Sequence, residues 1–475
     1  MFQFAVSPII TDRSSIGQVK IDILPDDVLL EIFSFYLIED PHFRWNESQT
    51  WHVLIHVCRR WRRTVFASPR RLDLRICCTT RTRMRDMLHI WPALPLVVRG
   101  DWYTTSRGEG TDNIVAALEH NDRVCEISLA KFSSSMLERI AAEIQEPFPA
   151  LTRLLITSSS NETSPAFPEA FLGGSTSHLR SCVLQGVAFL GIRNLLSSAN
   201  HLVTLRLWRI PHSGYISPEE MVTCLSAMPN LKSLSIEFRS PRSRPDQANR
   251  HPQPLTRVVL PSLTYFWFKG VSEYLEDFVS RIDVAQLDYA SITFFNQLIF
   301  DIPRLHDFFA RTETFKAHSR AAVEFNEDVV QFNLKPRLLL RIICKELDWQ
   351  LSSMAQVCGS LLPPFSTLER LDICEGRQPQ SHWQDDMETS QWLDLLHPFA
   401  AVKDLYLDKK VSPRVSAALH ELVGERVTEE LPVLKNLFIE GLFRAESALK
   451  AIVPFYIARH LSGLPVVARS WEERS

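Results

Sequence analysis

The sequence predicts an α/β fold in which a short all-helical segment precedes a long solenoid of helix–turn–strand units. Three observations support this prediction. Two apolar stripes at helical spacing lie close together in about the first 70 residues. From about residue 110, a frame of apolar-x-x-apolar-x-apolar recurs every 23 to 34 residues. Helix-start signals lie between successive copies of the frame, and a repeat of this kind predicts stacked units rather than separate globular domains.

The helical segment begins near Pro25, because proline suits the first turn of a helix and the two aspartates that follow suit the positive end of the helix dipole. A second stripe from Trp51 to Val65 predicts one further helix, which Ser68 and Pro69 end. Two short helices cannot bury this much apolar surface against each other. Part of that surface is therefore expected to face a partner.

The repeat itself can be identified in ten copies, and an eleventh at Leu339 fits the same pitch. Each copy predicts a short strand. Ser217 opens a capping box that predicts a helix between two copies, and similar helix starts occur at Ser135 and Ser412. The ten copies begin at Val124, Leu151, Leu179, Leu202, Leu231, Leu263, Leu287, Leu368, Val402 and Leu434.

The units are similar to leucine-rich repeats but irregular. In the regular repeat, an asparagine three residues after the last apolar position satisfies backbone groups of the turn, and none of the ten copies has one. The pattern degrades between Phe295 and Leu338, where residues 321–334 predict an inserted hairpin. Three polar stretches are expected to be loops, at residues 158–177, 239–257 and 375–390.

Two motifs in the helical segment add a family resemblance. They are Leu-Pro-Asp-Asp-Val-Leu at residues 24–29 and Val-Cys-Arg-Arg-Trp at residues 57–61. Together they resemble an F-box over about 50 residues, from which the polar stretch 40–50 departs by lengthening the first loop. The whole chain is similar to the F-box proteins with irregular leucine-rich repeats of mushroom-forming basidiomycete fungi, in particular at residues 346–358 and 391–402.

The resemblance implies a function in ubiquitin ligation. An F-box docks on the Skp adaptor of a cullin–RING ligase of the SCF type, and the repeats hold the protein to be ubiquitinated. The alternative is a repeat scaffold with a divergent F-box and no part in a ligase. By the family pattern, the residues that form or support the adaptor surface are Leu24, Pro25, Val28, Leu29, Ile32, Leu54, Val57 and Trp61.

The basic loop at residues 239–257 is a second candidate for contact with a partner. Arginine forks suit carboxylates and phosphates, so this loop is expected either to bind an acidic or phosphorylated segment of the target or to be a solvated loop. Its candidate contact residues are Arg239, Arg242, Arg244 and Arg250.

The sequence thus predicts five segments along the chain. They are an N-terminal tail (1–19), the F-box (20–72), a connector with the start of the solenoid (73–110), the leucine-rich-repeat-like solenoid (111–465) and a C-terminal tail (466–475).

Charge and the absence of known motifs argue against several other function classes. The net charge is −3, from 52 basic and 55 acidic residues, so a membrane or nucleic-acid partner is not expected. Residues 59–85 hold ten arginines and one acid, which leaves nucleic-acid binding as an alternative to simple solvation of helix faces. No P-loop, nucleophile elbow or dinucleotide-binding motif is present. His52 and His56 have the spacing of a zinc-binding helix but lack the glutamate between them.

The sequence therefore predicts a protein that is not an enzyme and needs no cofactor or metal. Nine scattered cysteines without a paired spacing predict reduced thiols rather than disulfides. No apolar stretch reaches the roughly 18 residues of a membrane span. These features favour the cytoplasm or the nucleus.

Overall fold

The N-terminal part of the protein is helical. A 3-10 turn (Ile21–Ile23) precedes α1 (Asp26–Leu37), α2 (Thr50–Val57) and α3 (Arg59–Ala67). The computed structural model describes residues 21–37, 50–101, 110–159, 163–245, 256–315, 318–361, 367–376, 389–422, 426–441 and 446–471.

Sixteen strands of the described residues form one long sheet, and four two-residue strands form two separate pairs. The strands are β1 (Ile76–Cys78), β2 (Leu96–Asp101), β3 (Val124–Phe132), β4 (Arg153–Ser158), β5 (Ala166–Phe167), β6 (Ser181–Gln185), β7 (Ala188–Phe189), β8 (Thr204–Ile210), β9 (Ser233–Phe238), β10 (Val258–Val259), β11 (Tyr265–Gly270), β12 (Ile282–Asp283), β13 (Tyr289–Phe295), β14 (Arg320–Asn326), β15 (Val329–Leu334), β16 (Leu338–Ile343), β17 (Arg370–Glu375), β18 (Asp404–Leu407), β19 (Asn436–Glu440) and β20 (Val467–Trp471).

Helices connect most of these strands, as parallel neighbours require. They are α4 (Met84–Ile90), α5 (Thr111–Leu118), α6 (Ser134–Glu143), α7 (Ile192–Ser197), α8 (Pro218–Leu225), α9 (Ser272–Ser280), α10 (Pro303–Arg311), α11 (Leu347–Leu361), α12 (Thr389–Leu396), α13 (Ser412–His420), α14 (Arg426–Glu429) and α15 (Glu446–Leu461).

The long sheet follows chain order except at one place. Its order is β1-β2-β3-β4-β6-β8-β9-β11-β13-β16-β15-β14-β17-β18-β19-β20. Neighbouring strands are parallel, apart from β15, which is antiparallel to both β14 and β16. The hairpin predicted at residues 321–334 is therefore confirmed, and it lies inside the sheet.

The apolar frames supply the core. On β8, for example, Leu205 and Leu207 are buried on the helix side, whereas Thr204, Arg206 and Trp208 alternate onto the opposite side. We call that opposite side the open face of the sheet. All ten predicted frames coincide with strands of the long sheet, which confirms an α/β fold of leucine-rich-repeat-like character.

Two polar side chains of other types accept hydrogen bonds from turns of the preceding unit. Gln297 Oε1 accepts a hydrogen bond from the backbone N–H of Ser272, 2.8 Å away, in the preceding unit. Glu440 Oε2 likewise accepts from the N–H of Lys409, 3.0 Å away. Each bond satisfies a turn donor that would otherwise lack a partner. At these two places, hydrogen bonds between units therefore form without an asparagine at a fixed position of the frame.

The second predicted helix is in fact two helices, so that prediction was wrong. Cys58 breaks it with an extended backbone (φ −157°, ψ 169°), and its Sγ accepts from the N–H of Trp61 at 3.4 Å. A cysteine that caps a helix is not a common start signal, which is why periodicity alone merged the two helices.

The predicted helix starts have different outcomes. At Ser217 the capping box forms, with both reciprocal bonds to Glu220 present. At Ser135 no capping box forms, since α6 begins one residue earlier and Glu138 accepts from the N–H of Ala166 instead. A serine followed three residues later by glutamate therefore caps α8, whereas at α6 the glutamate bonds to β5 instead.

The sheet begins with β1, in the segment predicted as a connector with the start of the solenoid. It extends past the predicted end of the solenoid at residue 465, since β20 lies in the predicted C-terminal tail. The predicted N-terminal tail, residues 1–19, lies outside the described residues. Among the described residues, every helix is too short or too polar to cross a bilayer.

Candidate interaction surfaces

Helix α1 has one buried and one exposed apolar face. Leu29 and Phe33 lie one turn apart and are buried in the core. The other face carries four large apolar side chains at i, i+4, i+7 and i+8, a spacing that places them on one stripe. Their exposed fractions are 42% for Val28, 42% for Ile32, 68% for Phe35 and 52% for Tyr36.

The neighbouring elements add four more exposed apolar side chains. Ile21 and Ile23 lie on the 3-10 turn that precedes α1, and Val53 and Val57 lie one turn apart on α2. Scattered exposed apolar residues are ordinary, but a set of eight on three consecutive elements indicates an interaction site. We call these eight residues, at positions 21, 23, 28, 32, 35, 36, 53 and 57, the N-terminal apolar surface.

The residues predicted for the adaptor surface divide by burial. Leu29 and Leu54 are buried, so their side chains can support that surface but not contact a partner directly. Leu24 and Trp61 are half-buried, and the Trp61 ring lies 4.7 Å from the Phe33 ring. The remaining four are exposed, namely Pro25, Val28, Ile32 and Val57.

Sequence reasoning missed half of the exposed stripe on α1. Phe35 lies seven residues after Val28, and Tyr36 lies four after Ile32, so helical spacing could have identified both. Val53 lies four residues before Val57 on α2, so the same spacing could have identified it. Ile23 carries no such signal, because it lies on the short 3-10 turn before α1.

Arg60 fixes the start of α1. Its guanidinium donates to Asp26 Oδ1 at 2.7 Å and 3.0 Å and to the backbone carbonyl of Leu24 at 2.5 Å. Arg60 belongs to α3, so these bonds tie the second sequence motif to the Leu-Pro turn of the first. The two motifs are therefore one structural unit, although Leu24 and Arg60 are 36 positions apart along the chain.

An aromatic junction joins the N-terminal helices to the sheet. Trp51 Nε1 donates to the carbonyl of Arg75 at 2.9 Å, and its ring meets the Trp91 ring edge-on at 5.5 Å. His52 stacks on Trp91 at 4.8 Å, and burial lowers the pKa of His52 to about 4. His52 is therefore a neutral packing residue at pH 7, and His56 points into solvent.

Four of the ten arginines of residues 59–85 make polar contacts with other groups of the protein. Arg60, Arg71 and Arg75 form ion pairs with carboxylates, and Arg62 donates to the carbonyl of Ile55. The ion pairs neutralise three of the ten cationic charges, which weakens the nucleic-acid alternative. Within the described ranges, no group of three or more His, Cys, Asp or Glu residues could hold a metal ion.

The predicted target contact lies where β8 and β9 end. Arg239 and Arg242 line an open cleft of about 420 Å³ together with His212, and Arg239 donates to Ser164 Oγ at 3.2 Å. Arg244 turns away to Glu273, 3.7 Å distant. Arg250 lies outside the described residues. The structure thus brings two of the four candidates together.

Comparison with known proteins adds little beyond this geometry. No protein-family model matches the chain, and no curated protein matches it by sequence. Among solved structures, it is similar to the leucine-rich repeat-containing protein LegL7 from Legionella pneumophila. That match has 12% identity and a TM-score of 0.26, and it covers 72% of this chain and 92% of LegL7. The repeat character stated above rests on the strands and helices of the chain itself.

Proposed function

We propose that this protein is an F-box substrate-recognition subunit, which bridges the Skp adaptor of an SCF-type cullin–RING ubiquitin ligase to a target protein held by the solenoid. The observation that supports the proposal is the N-terminal apolar surface. It lies on the helices whose sequence resembles an F-box, and it stays exposed after those helices have packed against the sheet.

The size of this surface is sufficient for stable docking. A fully buried aliphatic or aromatic side chain gains roughly 1.5–3 kcal/mol on leaving water. Association costs about 4–15 kcal/mol of lost freedom, so several such side chains must act together. The eight exposed residues meet that requirement only if one partner covers most of them. An adaptor that covers the exposed stripe of α1 together with the 3-10 turn and α2 is a partner of this kind.

The test replaces two exposed residues that the fold does not need. A Val28→Asp, Ile32→Asp double variant should bind purified Skp adaptor about 100-fold more weakly, because two buried apolar contacts are lost. The matched control is Val453→Asp, Ile457→Asp, which changes two exposed apolar residues one turn apart on α15. The control should bind the adaptor as the unmodified protein does.

The alternative, a repeat scaffold without a ligase, makes the opposite prediction. If the unmodified protein fails to bind the adaptor at micromolar concentration, the proposed ligase function is refuted and the scaffold alternative is favoured. Equal loss of binding in both double variants would show that the N-terminal apolar surface is not the docking site. Circular dichroism of each variant confirms that the fold is retained.

A further inference from the structure

A cleft opens at the edge of the long sheet where β8 and β9 end. The two strands are parallel neighbours, so their carboxyl ends meet at the same edge. The backbone N–H of Arg239 donates to the carbonyl of Ile210 at 2.9 Å, which joins the two strand ends. The cleft has a volume of about 420 Å³, and the residues that line it are Ser164, Pro211, His212, Ser213, Arg239, Ser240 and Arg242.

Strands of the fold hold the walls of this cleft. The 3-10 turn His212–Gly214, which follows β8, packs closely on β7, since a Cβ at Gly214 would lie 3.1 Å from Ala188 Cα. Strand β7 pairs with β5, and Ser164 lies just before β5. Arg239 directly follows β9. The lining residues are therefore positioned by several strands rather than by one loop.

The polar side chains of the cleft can all donate hydrogen bonds. Each guanidinium carries five N–H donors, and Arg239 uses one of its five on Ser164 Oγ, 3.2 Å away. Ser240 Oγ accepts from the backbone N–H of Arg242 at 3.2 Å. Both serine oxygens thus act as acceptors in these bonds, which leaves their own O–H groups able to donate. A ligand that only accepts would match this set.

The cleft is also cationic. None of its lining residues is acidic. Among the described residues, neither Arg239 nor Arg242 forms an ion pair, whereas Arg244 of the same loop pairs with Glu273 at 3.7 Å. Two like charges that share one cleft repel each other, so an anion between them is favoured. The occupant should therefore be an anion.

A phosphomonoester suits these donors better than other common anions. It carries a charge of about −1.5 to −2 at pH 7 and three oxygens that accept hydrogen bonds. A carboxylate has one charge and two oxygens, which is fewer than two guanidinium groups, one imidazole and two hydroxyls can bind. The phosphodiester of a nucleic acid likewise has one charge and two terminal oxygens. Arginine forks match the geometry of phosphate oxygens as well.

We propose that this cleft binds a phosphomonoester, whose oxygens are held by the guanidinium groups of Arg239 and Arg242 and by the hydroxyls of Ser164 and Ser240. The phosphate can belong to a phosphorylated side chain of a protein segment or to a small molecule, because both present the same group. In the first case the inference rests on the proposed function, in taking that protein to be the ubiquitination target.

Binding of defined probes to the full chain, measured by fluorescence anisotropy, tests the proposal. Three labelled peptides share flanks of glycine and alanine and differ only in the central residue, which is phosphoserine, glutamate or serine. The phosphoserine peptide should bind about tenfold more tightly than the glutamate peptide, because it makes at least one more hydrogen bond to a charged group. The serine peptide should not bind. A labelled oligothymidylate without a terminal phosphate should bind more weakly than the phosphoserine peptide.

Inorganic phosphate, added as a competitor, distinguishes the two sources. It should displace the phosphoserine peptide in either case, since both occupy the same donors. Displacement at a phosphate concentration near the Kd of the peptide assigns the cleft to small phosphates. A much higher requirement shows that the peptide flanks add affinity, which assigns the cleft to a protein segment.

Two variants and a control locate the site. Arg239→Gln and Arg242→Gln should each weaken binding of the phosphoserine peptide about tenfold, the usual cost of one hydrogen bond to a charged group. Arg242 is exposed, so its variant should keep the melting temperature of the unmodified protein. The matched control Arg244→Gln removes a cation of the same loop that pairs with Glu273 and does not line the cleft, so it should leave binding unchanged.

Every other result overturns the proposal. A phosphoserine peptide that fails to bind at millimolar concentration, or binds no better than the glutamate peptide, excludes a phosphate site. Equal losses in all three arginine variants would mean that only the total charge of the loop matters. Tighter binding of the oligonucleotide with dependence on Arg242 would assign the cleft to nucleic acid. Adaptor binding is measured on the same samples: absent phosphopeptide binding with adaptor binding present refutes this inference alone, and the reverse result refutes the proposed function alone.

Discussion

At the scale of single residues, Glu276 shows how one unit of the solenoid completes the next. Its carboxylate lies on α9 and accepts the backbone N–H groups of Arg304 at 2.9 Å and Leu305 at 2.8 Å. These two donors open α10, whose own N-cap residue, Ile302, has no side chain able to accept them. The helix cap is therefore supplied by the preceding unit.

This cap makes stability depend on pH. Burial raises the pKa of Glu276 to about 7, although the two N–H bonds and nearby Arg304 oppose the rise and Asp301 adds to it. The folded protein then holds a proton that the unfolded chain, with a pKa near 4.5, releases. Stability from this group is thus fully present below pH 4.5 and is lost as the pH rises towards about 7.

We therefore predict that Glu276→Gln flattens the pH dependence of stability. Over that window the unmodified protein should lose about 3 kcal/mol that the variant keeps, since one pKa unit corresponds to about 1.4 kcal/mol. Urea unfolding across the window measures the difference. Asp288→Asn, at an exposed ion pair with Arg337, is the control and should keep the slope of the unmodified protein. An unchanged slope in Glu276→Gln would refute the assignment.

At the scale of elements, Arg60 joins two of the N-terminal helices, α1 and α3. Its bonds to Asp26 and to the carbonyl of Leu24 hold α1 at a fixed angle to α3. Because the exposed stripe of α1 is the centre of the N-terminal apolar surface, that angle decides whether the stripe and the exposed valines of α2 can meet the same partner.

Arg60→Gln should accordingly weaken adaptor binding about fivefold, which corresponds to roughly 1 kcal/mol for a partly exposed ion pair. The thermal unfolding of the solenoid should not change, since the bonds of Arg60 to Asp26 and Leu24 join elements that precede β1. Isothermal titration with purified adaptor measures the effect. Arg63→Gln, an exposed residue of the same helix, is the control. Equal affinities of the two variants would contradict the prediction.

Sequence patterns predicted the elements far better than the surfaces. The frames were identifiable because Leu205, Leu207 and their equivalents are apolar at fixed spacing and all of them enter the core. On α1, by contrast, Val28 is exposed and Leu29 is buried, and both are apolar. Which side is covered depends on packing against α3, where the Trp61 ring lies 4.7 Å from the Phe33 ring, and periodicity does not contain this contact between distant residues.

The pairing of β13 with β16 was out of reach of the sequence for a similar reason. Thr293 and Arg341 become neighbours only because β16 pairs with β13, although β14 and β15 lie between them along the chain. No local pattern predicts that pairing, which follows from sheet topology rather than from any motif.

At the scale of the whole molecule, the strands of the long sheet follow chain order except at the meander formed by β14, β15 and β16. The chain leaves β13, forms β14 three places further along the sheet, and returns through β15 and β16 to pair with β13. Gln350 on α11 holds the meander by donating to the carbonyls of Asn326 and Cys344 at 2.9 Å and 2.7 Å. Elsewhere each unit touches mainly its neighbours, so stability should be a sum of local terms.

The C-terminal end of the solenoid offers a direct test of that view. Arg459 on α15 is fully buried and donates to the carbonyls of Val427, Pro432 and Leu434 at 3.0, 3.4 and 3.2 Å. Burial lowers the pKa of its guanidinium, and the three carbonyls are what keep a buried cation tolerable. Arg459→Met should cost about 3 kcal/mol or more, because it leaves those carbonyls without a donor.

The loss of stability in Arg459→Met should remain confined to the C-terminal units. In a stack with nearest-neighbour coupling, the loss opens the last units and leaves distant ones unchanged. Hydrogen exchange of Arg459→Met should therefore rise in β18 to β20 and stay unchanged in β1 to β4, and adaptor binding by the N-terminal helices should persist. Arg469→Met, which removes an exposed arginine from β20, is the control and should leave exchange unaltered. Faster exchange along the entire sheet would instead mean that the solenoid unfolds as one cooperative unit.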